Sequence, residues 1–259
     1  MAATACLSRE LRLCILDADH LYPQLLPSYH SYGAMFDGLL SRAAASLKIA
    51  VQISIFDVRS EQYPKSLDDY DGFLITGSKA DAFADDAWIV RLRAFASQLV
   101  SEKRPTVGIC FGHQLLALVI GGQVGRADKG WGVGLMTYQC AAAEAWPQPL
   151  QQGLARLATP QLQLLASHRD QVKYLPADAV PLAGNEFCPI AAFSVGEHLL
   201  CFQGHPEFSA DYLLALMTLR REMVGEVNFC KAVAAQHQAH QGELVGQWLL
   251  AFLAASWSK

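Results

Sequence analysis

The sequence predicts an α/β fold on a mostly parallel sheet, and three observations predict it. Short, almost wholly apolar runs alternate with segments of helical periodicity through the first half of the chain. Such runs suit strands covered on both faces, and the alternation means βαβ units with right-handed crossovers. The chain is also long and apolar enough to bury a large core, with 259 residues, 52% of them hydrophobic and 17% charged.

The elements follow in order. Leu11 to Asp17 reads as a strand. Tyr32 to Leu47 reads as a helix, with Met35, Leu39, Leu40, Ala43, Ala44 and Leu47 at helical spacing. Ile49 to Val58 and Tyr70 to Thr76 read as strands, the latter ending at Gly77. Asp85 and Asp86 offer an N-cap for a helix from Trp88 to Ser101. Pro105 to Ile109 is the fourth strand, and helical character resumes from Gly112 to Ile120.

The second half reads differently. Gly121, Gly122, Gly125, Gly130, Gly132 and Gly134 punctuate short β segments, and Pro189 to Gln203 reads as a hairpin turning at Val195 to His198. Helical character returns from Ala210, and Leu244 to Ser256 closes the chain as an apolar helix. With no repeat, low-complexity tract or linker, residues 1–259 read as one domain with a C-terminal helical extension from about 210.

Composition excludes several classes. A net charge of −4 without a basic stripe argues against nucleic acid. No run of about 18 apolar residues argues against a membrane span, and Met1 to Glu10 lacks the pattern of a signal peptide. Seven scattered cysteines, without CxxC pairs, fit a reducing cytoplasm. Cys6, Cys14, Cys140, Cys188, Cys201 and Cys230 read as small apolar filler.

Cys110 is different. A buried strand ends there and a helix begins within two residues, with Gly108 and Gly112 allowing a sharp turn and a close backbone approach. This is the pattern of a nucleophile elbow with cysteine in the serine's place. The helix N-terminus favours a thiolate, and the Phe111 N–H can serve as an oxyanion donor. A base is at hand in Phe202-Gln-Gly-His-Pro-Glu-Phe208. In an extended chain His205 and Glu207 project to one side, and the carboxylate can fix the imidazole's tautomer. Cysteine, histidine and acid then satisfy the logic of a catalytic triad.

Gly108-Ile-Cys-Phe-Gly-His-Gln114 together with Gln203-Gly-His-Pro-Glu207 resembles the class I (triad) glutamine amidotransferases. Thr76-Gly-Ser78 and Ser167-His-Arg-Asp-Gln-Val172 support the resemblance, which spans about Leu11 to Tyr212. It implies a flavodoxin-like open sheet and hydrolysis of a γ-carboxamide through a γ-glutamyl thioester. It also implies that Cys110 is the nucleophile, His205 the base and Glu207 its orienting acid. It further implies that the Gly77 N–H joins that of Phe111 in the oxyanion hole, and that Gln114 and the stretch Ser167, His168, Arg169 and Asp170 hold the substrate's α-amino-acid end. Many members carry glycine where Arg169 stands, so the pocket rim differs. Within the family, the chain is most similar to the stand-alone branch that resembles the glutaminase of GMP synthase and includes the plant γ-glutamyl peptidases.

Two sequence loops are missing: Gly-x-x-x-x-Gly-Lys-Ser/Thr and the Ser-Gly-Gly-x-Asp-Ser of an ATP-using synthetase half. The expected substrate is a small γ-glutamyl compound or glutamine. The alternative is a glutaminase subunit feeding ammonia to a separate synthetase, and a non-catalytic regulatory protein is a third reading. No metal or cofactor is expected. His237 and His240 read as a polar helix face without a third ligand, and helix capping explains at least one of Asp81, Asp85 and Asp86 without a cation. Trp131 reads equally as pocket lining or as a plug in a glycine-rich turn.

Overall fold

A computed structural model describes residues 10–255. Most of Met1 to Glu10, Cys6 and Ser256 lie outside that range. Eleven strands are described: β1 Leu11–Asp17, β2 Val51–Asp57, β3 Gly72–Ile75, β4 Thr106–Ile109, β5 Gln123–Arg126, β6 Gly132–Cys140, β7 Gln161–His168, β8 Asp170–Tyr174, β9 Ala179–Gly184, β10 Ala192–Val195 and β11 Leu199–Phe202. The α-helices are α1 Leu26–Tyr29, α2 Tyr32–Leu47, α3 Ala87–Ser101, α4 Phe111–Val119, α5 Gln148–Ala155, α6 Ala210–Leu219, α7 Arg221–Val224, α8 Glu226–Ala235 and α9 Gly242–Ala254.

Nine strands form one sheet in the order β2-β1-β3-β4-β11-β10-β9-β6-β7, and β5 and β8 form a separate ribbon. The strands from β2 to β11 are parallel, and the remaining pairs are antiparallel. Alternation along β1 splits the core. Leu11, Leu13 and Ile15 pack with Phe36 and Leu39 of α2 and Val245 and Leu249 of α9. Cys14 and Leu16 face the opposite layer, with Leu92 of α3 and Leu115 of α4. This is the doubly covered α/β sheet expected from the apolar runs.

Several expectations shift on contact with the structure. The predicted strands β2 and β3 are shorter at both ends: Val58 opens a 3₁₀ turn after β2 and Tyr70 closes another before β3. Asp86 does sit at the N-cap of α3, but its side chain makes no capping bond; its backbone carbonyl accepts from Ile89 and Val90 instead. Helix α8 stops at Ala235, so His237 and His240 do not share a helix face. Helix α9 is no appendage, since its Val245, Leu249 and Leu253 are wholly buried in the core beneath β1 and β3. Cys230 is exposed and so is not core filler, whereas Cys140 is half-buried and packs against the core. Helices α1 and α5 have no counterpart in the sequence reading; each is short, with a proline in its first turn.

The turn from β4 into α4 is set by close packing. A Cβ on Gly112 would stand 2.4 Å from the Ile75 carbonyl oxygen, and one on Gly108 would stand 2.6 Å from that of Gly112. No side chain fits at either place. The start of α4 can therefore press against the ends of β3 and β4.

Candidate active site

The backbone at Cys110 has φ 52° and ψ −99°, a conformation that L-residues rarely adopt. Strain of this kind costs about 1–3 kcal/mol and persists only where the surroundings impose it. Here the Cys110 N–H donates to Phe202 O at 2.8 Å, and the Gly112 N–H donates to Thr76 O at 3.2 Å. These bonds tie the turn to β11 on one side and to the end of β3 on the other. The thiol is 5% exposed and lines a cavity of about 330 Å³.

His205 reaches the same place from β11. Its N–H donates to Leu165 O at 2.8 Å, which fastens the residues after Phe202 onto β7. Pro206 and Glu207 then form a turn, not the extended segment expected from sequence. The turn still brings His205 Nδ1 within 2.7 Å of Glu207 Oε1. Phe208 stacks on the imidazole at 3.9 Å between ring centroids, and Tyr32 stacks beyond it. Burial works against a charged imidazole, but Glu207 and then Cys110 override it and push His205 up to about 10. A thiol, an imidazole held protonated and a buried carboxylate behind it form a set able to move a proton to and from sulfur.

Gly77 lies against this set. A Cβ there would stand 2.8 Å from His205 Cε1 and 3.6 Å from Cys110 Cβ. Among the described residues, neither the Gly77 nor the Phe111 amide donates a hydrogen bond. The Phe111 ring faces away, stacked on Trp88 at 5.6 Å.

Gln114, Ser167, His168, Arg169 and Asp170 line the same cavity as Cys110. Their polar groups are partly committed. Gln114 Nε2 donates to Asp170 O at 2.8 Å and to Gln203 Oε1 at 3.1 Å. The Asp170 carboxylate accepts from Arg126 Nη1, which also pairs with Asp81 at 2.8 Å. Burial pushes the Asp170 carboxyl up, while Arg126 holds Asp81 down. Asp81 thus serves an ion pair; capping of α3 falls to the backbone. Burial also lowers His168 to about 4, keeping it neutral, and its Nδ1 lies 3.1 Å from Asp170 O. Since a carbonyl can only accept, Nδ1 bears the proton. Ser167 Oγ is buried without a partner, and the Arg169 guanidinium sits 5.6 Å over the Trp131 ring, which joins the cavity wall.

Sequence reasoning gave no role to Gln203, Phe208, Lys79, Tyr22 or Arg220. Gln203 Nε2 lies 3.5 Å from Cys110 Sγ, and Gln203 and Phe208 stood within the quoted motifs. Tyr22 and Arg220 enter the cavity from distant segments with no local pattern to mark them.

Residues 31–212 match the family model described as glutamine amidotransferase class-I. The chain belongs to the class-I glutamine amidotransferase family. The chain is 37% identical over 190 residues to gamma-glutamyl peptidase 3 of Arabidopsis thaliana, covering 72% of this chain and 74% of the relative. It is 38% identical over 105 residues to a glutamine-hydrolysing GMP synthase subunit of Pyrococcus abyssi, covering 40% of this chain and 50% of that protein. Its fold superimposes on a glutamine amidotransferase from Thermotoga maritima with a TM-score of 0.72 at 17% identity, covering 97% of this chain and 100% of the other. The amidotransferase thus shares the flavodoxin-like open sheet of its structural neighbours. No described helix is long and apolar enough to cross a membrane.

Proposed function

We propose that this amidotransferase hydrolyses γ-glutamyl amide bonds through a thioester on Cys110. The observation that carries this reading is the strained Cys110 turn sharing a narrow cleft with His205, with Glu207 Oε1 2.7 Å behind the imidazole. In the proposed reaction the Cys110 thiolate attacks the γ-carbonyl carbon, with the oxyanion between the Gly77 and Phe111 amides. His205 protonates the departing nitrogen as the C–N bond breaks, leaving a γ-glutamyl thioester. His205 then takes a proton from water, the hydroxide displaces sulfur, and glutamate leaves. Gln114 and the Ser167 to Asp170 wall hold the α-amino-acid end. The scattered thiols support a cytoplasmic setting for this chemistry, where Cys110 stays reduced. The 37% identity to a protein named gamma-glutamyl peptidase favours this reading.

A second reading, a glutaminase subunit that passes ammonia to a separate synthetase, is favoured by the likeness to the GMP synthase subunit. Mixing the purified protein with γ-glutamyl compounds, quenching in acid and weighing its peptides separates the two. The expected result is steady turnover without a partner and one γ-glutamyl group on the peptide containing Cys110. An adduct elsewhere, or none during turnover, would refute the thioester; turnover that begins only with a synthetase present would favour the second reading.

Gly77→Ala checks the oxyanion assignment. Its methyl group would crowd His205 and displace the amide, so turnover should fall ~10²–10³-fold with little change in KM. Steady-state kinetics with a thermal melt on the same sample decides this. A raised KM with kcat intact would move Gly77 out of the oxyanion hole.

A further inference from the structure

Gln203 follows β11 and is wholly buried, and it lines neither the cavity nor the narrow cleft at Cys110. Its backbone N–H donates to Ala191 O at 2.8 Å, which pins the residue to the strand beside it. Its side-chain Nε2 reaches Cys110 Sγ at 3.5 Å, from within the protein and not from the substrate side. The reaction proposed above gives this amide no task.

A chain of acceptors fixes which way the amide points. The Asp170 carbonyl can only accept, so the Gln114 group 2.8 Å away is its NH₂. The same NH₂ donates to Gln203 Oε1 at 3.1 Å. Both Gln114 hydrogens are then committed, and its Oε1 is left for the cavity that Gln114 lines. With its own oxygen engaged, Gln203 turns N–H toward the sulfur. A thiol is a weak acceptor, whereas a thiolate accepts a charge-assisted bond. The contact therefore favours the charged form of Cys110. His113, beside Gln203, brings no competing charge, because burial pushes it down to about 3.

We propose that Gln203 is a positioning residue that donates to the Cys110 thiolate from behind, held in that orientation by Gln114 and the Asp170 carbonyl. This rests on the reading of Cys110 as the nucleophile of the hydrolysis proposed above. His205 meets the thiolate on one side and moves its proton; Gln203 meets it on another and moves none. The sulfur is thereby kept charged and aimed into the cavity while His205 is free to turn its proton to the leaving nitrogen. Gln114 serves two ends at once, offering oxygen to the cavity and N–H to the residue that supports the nucleophile.

The acid limb of Cys110 alkylation by iodoacetamide, followed by mass on the Cys110 peptide, reports where the thiolate forms. Gln203→Met keeps the side chain's length and removes the donor. Its limb should lie about one pH unit toward alkaline of the wild type, a ~10-fold loss of thiolate below the limb, as charge-assisted hydrogen bonds allow. Gln114→Met, which frees the Gln203 amide to turn, should move the limb part of the way. Both variants leave in place His205 and Glu207, Tyr138 of β6 and Cys188 on the core side, and Lys79 and Arg220 in the cleft. Neutral His168 and the ion pairs of Arg126 across the cavity are likewise retained. A limb that stays put in Gln203→Met would overturn the proposal and leave Gln203 as packing. Should that variant fail to fold, NMR on the wild type decides: the Gln203 side-chain N–H signals should titrate with the alkylation limb and stay still in Cys110→Ala. Signals indifferent to pH would overturn the proposal equally. Neither readout requires turnover. A moved limb without γ-glutamyl hydrolysis would leave the thiolate donor standing and remove the reaction; hydrolysis with an unmoved limb would do the reverse.

Discussion

Cys110→Ala is expected to lower hydrolysis of γ-glutamyl compounds by at least ~10³-fold while the protein still melts cooperatively. Loss of a nucleophile is the largest single effect available to an enzyme of this kind, because neither the base nor the oxyanion donors can substitute for the missing bond. The substitution is also structurally mild. The thiol meets Gln203 Nε2 at 3.5 Å and the His205 imidazole, and the backbone bonds that hold the turn do not involve the side chain. Glutamate release followed by a coupled assay, alongside circular dichroism, checks both halves. Residual turnover above a few per cent would mean that another group forms the intermediate.

Glu207→Gln is expected to cost about 10²–10⁴-fold in kcat, because an amide keeps the shape but not the charge that holds His205 protonated. The pH dependence has a definite sign. His205 is raised from 6.5 to about 10, so the protonated imidazole persists across neutral pH and is lost only as pH rises through about 10. Without the Glu207 charge, burial is opposed by Cys110 alone, and the proton is lost at a lower pH. The alkaline fall in kcat, set by the proton that His205 delivers to the leaving nitrogen, should therefore move toward acid in the variant. The same shift carries a stability consequence: the His205 contribution is fully present below about pH 6.5 and fades as pH climbs toward 10. An unmoved alkaline limb of kcat would remove Glu207 from its assigned role.

Much of this arrangement was legible in the sequence because its signals are local. The apolar runs around Leu13 and Val107 marked strands, and the glycines at 108 and 112 marked a turn with no room for side chains. Cys110, His205 and Glu207 stood in two compact segments, and the structure sets Cys110 and His205 on one cleft with Glu207 bonded behind the imidazole. The rationale for His205 and Glu207 was less accurate, since a turn and not an extended strand lets them meet. The illegible part depends on long-range packing. Tyr22 and Arg220 meet across 198 residues, and no periodicity connects them. The commitment of the Asp170 carboxylate to Arg126 was hidden for the same reason, because it follows from pairing of β5 with β8.

The parallel pairing of β4 with β11 matches Ile109 with Phe202, so the thiol and the imidazole emerge from neighbouring strand ends. Gln203 and Cys110 nevertheless lie 93 positions apart, and β5 to β10 must be made between them. Closing so large a loop is entropically expensive and slow compared with forming the local β3–β4–α4 unit. A newly made chain therefore holds its sulfur without its histidine until the last strand is inserted between β4 and β10. Reactivity is in this sense a late product of assembly, and a partly folded molecule carries an ordinary cysteine.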